Sequence, residues 1–161
     1  MSSQVLIDQA SFALDAWARL LRGHATTRRV LSAELVARHG LTINGYEALL
    51  VLAHAEEGRL RRVDLADRLL LTASGVTRLL DSLEEAGFVE RASCDSDRRI
   101  VYAVLTDAGR AKLKAASDTH IAGVRAVFEE RFNEDELRQL AELLSRLPGT
   151  EAAHGEECSA P

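Results

Sequence analysis

Ser74, Thr77 and Arg78 have the side-chain types and the spacing to bind a polyanion. Hydroxyls and a guanidinium hydrogen-bond phosphate oxygens and base edges. The three lie in Leu71-Thr72-Ala73-Ser74-Gly75-Val76-Thr77-Arg78-Leu79-Leu80-Asp81-Ser82-Leu83-Glu84-Glu85-Ala86-Gly87. The first turn of this stretch, Ala73-Ser74-Gly75, is small and polar, whereas a helix facing only solvent would favour Glu and Lys. Small side chains permit close approach, and a helix N-terminus favours anions. Thr72 is placed to cap the helix and to meet a phosphate. Arg61 and Arg62, just upstream, are further candidates for phosphate contact. A second basic group, Asp97-Arg98-Arg99, follows downstream in the polar run Cys94-Asp95-Ser96-Asp97-Arg98-Arg99.

Other chemistries find little support. His24, His39, His54, His120 and His154 form no His-Glu-x-x-His motif, and neither a nucleophile elbow nor a phosphate loop occurs. No enzyme activity and no cofactor are expected. His154 and Cys158 are spaced like weak metal ligands, but a Gly/Glu-rich tail is a poor cage, so no metal is expected. Cys94 and Cys158 lie far apart, which argues against a structural disulfide. Cys94 has Arg91, Arg98 and Arg99 close in sequence to favour its thiolate, while Asp95 opposes it. A thiol-based redox regulator is therefore the alternative reading.

The chain has 161 residues, 47% of them apolar, and a formal net charge of −5. That length supports one domain with a core. Bulk charge cannot hold this protein on nucleic acid, so any binding surface must arise by segregation. Between residues 59 and 110, nine arginines face nine acidic residues and there is no lysine. Arginine favours bidentate phosphate and guanine contacts over diffuse attraction. The N-terminus has no basic segment followed by an apolar core, and no apolar run reaches membrane-spanning length. A cytoplasmic protein is expected, with no membrane partner.

The elements that must carry these groups follow from periodicity. Residues 4–39 read as one long helix, with Phe12, Ala16, Leu20, Leu21, Leu31 and Leu35 apolar and Gly40 ending it. So small a domain cannot cover it, and a second copy of the chain is the simplest partner. Thr42 caps the next helix, with Leu41 and Tyr46 as a hydrophobic staple and an end near Glu57-Gly58. Arg59-Leu60-Arg61-Arg62 reads as a basic connection. A brief helix from Val63 to Leu70 leads by a tight turn into the opening stretch. There Val76, Leu79, Leu80 and Leu83 form an apolar stripe and Gly87 closes the helix. The period then becomes extended, with strands at residues 88–93 and 100–105 around the polar run. A helix-turn-helix followed by a hairpin is a winged helix. Thr106 caps a long helix to about Arg131, and Asn133-Glu134-Asp135-Glu136 is a capping box, stapled by Phe132 and Leu137, for a last helix through Leu147. The tail is expected to be disordered. The predicted fold is mainly α with a small β-wing. It divides into a terminal helix (1–40), a winged helix-turn-helix (41–105), two further helices (106–147) and the tail (148–161).

Two motifs resemble the MarR family of bacterial transcription regulators. One is Asp64-Leu65-Ala66-Asp67-Arg68-Leu69 with Ser74-Gly75-Val76-Thr77-Arg78-Leu79-Leu80-Asp81-Ser82-Leu83. The other is Asp95-Ser96-Asp97-Arg98-Arg99 with Val104-Leu105-Thr106-Asp107-Ala108-Gly109. The resemblance covers about residues 8–147. It implies a homodimer held by the first helix and the last two, a pseudo-palindromic double-stranded operator, and repression. It implies that the wing enters the minor groove, with Asp97 orienting Arg99 and Arg98 the alternative inserting residue. It also implies a small phenolic or aromatic carboxylate effector. Trp17, His24, Arg28 and Tyr46 are the candidates to line its pocket, the aromatic rings stacking and Arg28 or His24 meeting a carboxylate.

Overall fold

The structure, a computed structural model, describes residues 12–93 and 100–150. The first helix, α1 (Phe12–His39), buries only Leu31 and Leu35. Its N-terminal half is largely exposed among the described residues, with Phe12 96% exposed. Gly40, at φ +62°, ends it in the left-handed region that glycine tolerates. The Thr42 hydroxyl then accepts the Gly45 amide at 3.1 Å and starts α2 (Ile43–Ala53). Leu41 and Tyr46 flank that cap and are both buried, as the staple requires.

Two local expectations fail here. α2 stops at Ala53, not near Glu57, and a single 3-10 turn, Glu56–Gly58, follows with Glu57 and Gly58 both at positive φ. The basic connection is in part a strand, β1 (Arg59–Arg61). It pairs antiparallel with a strand far along the chain, Leu60 opposite Ala103. Three residues that include two arginines carry no strand signal of their own, because the pairing energy is supplied by a distant partner.

The helix-turn-helix is α3 (Arg62–Arg68) and α4 (Ala73–Glu85). Thr72 caps α4 by accepting the Gly75 amide at 3.1 Å, and Gly87 leaves it at φ +76°. Val76, Leu80 and Leu83 are buried and Leu79 half-buried, so the predicted stripe faces the core. The strands β2 (Val89–Ser93) and β3 (Val101–Leu105) form the wing hairpin, and the sheet runs β1-β3-β2. The hairpin tip, 94–99, lies outside the described residues.

Thr106 joins the wing to the next helix, α5 (Asp107–Glu129). Its hydroxyl accepts the Gly109 amide at 2.9 Å and donates to the Gly87 carbonyl at 2.7 Å. One side chain thus ties the end of α4 to the start of α5. Gly109 permits this docking, since a Cβ there would lie 2.1 Å from the Phe88 carbonyl oxygen. Further on, Gly123 brings α5 against Leu31 of α1. The last helix, α6 (Glu134–Leu144), opens with the expected capping box between Asn133 and Glu136 and buries no residue. It ends before Leu147. Residues 148–150, expected within the tail, form a turn in which the Thr150 hydroxyl donates to the Leu147 carbonyl at 2.7 Å. Residues 151–161 lie outside the described region.

Leu35, Leu49, Leu52, Leu65 and Leu80 form the centre of one core shared by α1, α2, α3 and α4, closed by Ala103 and Val89 of the sheet. The fold is mainly α with a small β-wing, a winged helix-turn-helix between flanking helices. Among the described residues no helix is long and apolar enough to cross a membrane.

Candidate nucleic-acid interface

The exposed end of α4 presents Thr72, Ala73, Ser74 and Arg78. The Thr72 hydroxyl that caps the helix also lies 3.3 Å from the Ser74 hydroxyl, so these two oxygens are held together at the tip. Thr77 is less free than its sequence position implies. Its hydroxyl donates to the Ala73 carbonyl at 2.8 Å and accepts from Arg62 Nη1 at 3.2 Å. A hydroxyl has one donor and two acceptor positions, so one acceptor position remains for a ligand.

The arginines divide by partner. Arg62 leans over α4 through Thr77. Arg61 is exposed, and its Nε and Nη2 bind the two oxygens of Asp64 at 2.6 and 2.8 Å. That bidentate hydrogen bond holds the Asp64 carboxyl below its ordinary pKa and raises that of Arg61. The i,i+3 spacing of the pair was the available signal. Arg91 of β2 reaches across to α4, where it binds Asp81 and lies 3.3 Å from Glu84. Asp97, Arg98 and Arg99, expected to form the wing tip, lie outside the described residues, as do Cys94, His154 and Cys158. No three His, Cys, Asp or Glu side chains gather as a metal site among the described residues.

The four candidate effector residues do not converge within one chain. Trp17 is 58% exposed and His24 also faces outward. Arg28 lies about one turn beyond His24 but about 16 Å from Trp17 along the same helix, at 1.5 Å per residue. Its Nη1 and Nη2 bind the Glu47 carboxylate at 2.6 and 3.1 Å, and Nη2 also binds Asn44. Tyr46 is buried, with its ring 4.5 Å from that of His120. Sequence reasoning gave His120 no role, since a single histidine in a long helix carries no pattern. Its Nδ1 is buried and has no hydrogen-bond partner among the described residues. Burial pushes its pKa below the ordinary histidine value, against a smaller upward pull from Glu47.

The sequence model of the MarR family matches residues 39–100, from the end of α1 to the wing. The HTH-type transcriptional repressor YetL of Bacillus subtilis is 32% identical over 114 residues, covering 69% of this chain and 68% of YetL. The structure is similar to that of AbsC, a MarR family transcriptional regulator from Streptomyces coelicolor. Its TM-score is 0.75 and its identity 31%, over 91% of this chain and 97% of AbsC. Sco3205 from the same organism, a MarR family regulator solved in complex with DNA, is similar at a TM-score of 0.74 and 27% identity, over 89% of this chain and 87% of Sco3205. With a family model matched across the helix-turn-helix region, 32% identity to YetL over about two thirds of both chains and a winged-helix fold similar to that of AbsC, the chain belongs to the MarR family of transcription regulators.

Proposed function

We propose that the protein binds double-stranded DNA as a homodimer and represses transcription from a pseudo-palindromic operator. The observation that carries this reading is the exposed, small and polar first turn of α4, with Arg78 exposed on the same helix. A helix presented in this way enters a major groove N-terminus first. Ser74, Thr77 and Arg78 then meet bases and phosphates. Arg61, Arg62 and Thr72 meet the backbone, and the Asp97-Arg98-Arg99 tip meets the minor groove. Similarity to YetL, a repressor by name, and to Sco3205, solved with DNA, supports the reading. Exposed Phe12, Leu14, Trp17 and Leu21 on α1, together with an α6 that buries no residue, support a second copy as partner. The proposal includes a phenolic or aromatic carboxylate effector, with Trp17, His24, Arg28 and Tyr46 as its candidate contacts across the assembled dimer.

Selection of duplexes from a random-sequence library by the purified protein tests DNA recognition. The expected product is an inverted repeat with half-sites about one helical turn apart, ~34–36 Å. Arg78→Ala should weaken binding to that duplex by more than about tenfold. Failure to enrich any duplex would refute DNA recognition. Trp17 is the only tryptophan, so its emission on titration with hydroxybenzoates reports effector binding directly, and an unchanged spectrum would remove the effector from the proposal.

A further inference from the structure

Thr77, Asp81 and Glu84 stand at i, i+4 and i+7 on α4, along one stripe of the helix. Each is held by a guanidinium from outside the helix. Arg62 of α3 takes Thr77, and Arg91 of β2 takes both Asp81 and Glu84. The second clamp joins the wing strand to the helix that would read bases. All three members are solvent-accessible, with side chains 34%, 57% and 44% exposed for Arg91, Asp81 and Glu84. Ion pairs this exposed contribute little to folding stability. Their geometric effect is different. A guanidinium that spans two carboxylates one turn apart resists rotation of the helix about its axis, because rotation would break at least one contact. Recognition contacts tolerate only about 0.5 Å of misplacement.

We propose that Arg91 is a positioning residue for DNA recognition: bridging Asp81 and Glu84, it fixes the rotation of α4 against the wing and so sets sequence discrimination. This rests on the DNA-binding reading above. Arg91 also masks two carboxylates that would otherwise repel phosphate, but masking acts alike on every duplex, whereas positioning acts on the ratio between duplexes.

The experiment measures affinity for the best library-selected duplex and for a scrambled duplex of the same composition, at matched salt. Three proteins are compared: wild type, Arg91→Gln, and the triple variant Arg91→Gln, Asp81→Asn, Glu84→Gln. The triple variant loses one positive and two negative charges, so electrostatics alone would make it bind DNA better than wild type. Both variants should show a selected-to-scrambled ratio lowered by about tenfold or more. Melting temperatures should stay within about 3 °C of wild type. A wild-type ratio in Arg91→Gln overturns the proposal. A ratio restored in the triple variant also overturns it, since discrimination would then persist with the Arg91–Asp81–Glu84 bridge absent. If wild type enriches no duplex, the DNA-binding reading fails, and that outcome is distinct from a variant that binds selectively.

Discussion

Leu70 has φ +52° and is 93% exposed at the turn between α3 and α4. A side chain there strains the backbone by roughly 1–2 kcal/mol and gains no burial in return. Leu70→Gly should therefore raise the melting temperature, by up to about 1 kcal/mol of stability once the extra freedom of unfolded glycine is deducted. A lower melting temperature would mean that Leu70 makes a stabilising contact. His120 gives a pH-dependent prediction. Its folded-state pKa lies below the unfolded value of 6.5, so the unfolded chain binds the proton more readily. Its contribution to stability is complete above about pH 6.5 and is lost as pH falls below that value toward the folded pKa. The Tyr46 ring of α2 borders the imidazole, and the charge of Glu47, on the same helix, softens the effect without reversing it. Urea midpoints should fall between about pH 7.5 and 5.5 in wild type and fall less in His120→Phe. Equal slopes would show that other groups dominate.

At the scale of elements, the contact between the wing and α5 is the most demanding. At Gly109 a Cβ would overlap the Phe88 carbonyl and lie 2.8 Å from Leu105 Cδ1. Backbone cannot yield as a flexible side chain does. Gly109→Ala should therefore destabilise the protein by at least about 1–3 kcal/mol, visible as a lower urea midpoint. A neutral result would mean that α5 can shift away from the hairpin at little cost. Elements set by local chemistry were legible in the sequence: the caps at Thr42, Thr72 and Thr106, the capping box at Asn133, the stripe from Val76 to Leu83, and the ends at Gly40 and Gly87. What was not legible depends on distant partners. β1 exists because β3 lies beside it. Thr77 looks free in the sequence, but Arg62, fifteen residues away, engages it in the fold. Arg91 reads as one more strand residue until α4 packs against β2. The pattern locates an exposed helix end but cannot show which of its polar atoms are already in use.

For the whole molecule, the apolar residues left outside predict the assembly. Trp17 and Leu21 lie on the exposed half of α1, and Leu143 of α6 is also exposed. If these surfaces meet across a dimer, Leu21→Arg should shift sedimentation from dimer toward monomer, because a charge buried without a partner strongly disfavours association. DNA affinity should fall with it, since two half-sites must then be bound independently. Unchanged sedimentation would place the interface elsewhere.

One consequence of α6 burying no residue concerns heat and dilution. Isolated helices shorter than about 12–15 residues are marginal in water even with good caps, and α6 has 11. In a dilute monomer its turns should melt ahead of the leucine-rich centre. Circular dichroism at low concentration should then show two thermal steps, the earlier one moving upward as protein is added until the steps merge. The C-terminal segment would be a helix on loan from its neighbour, folded only in company.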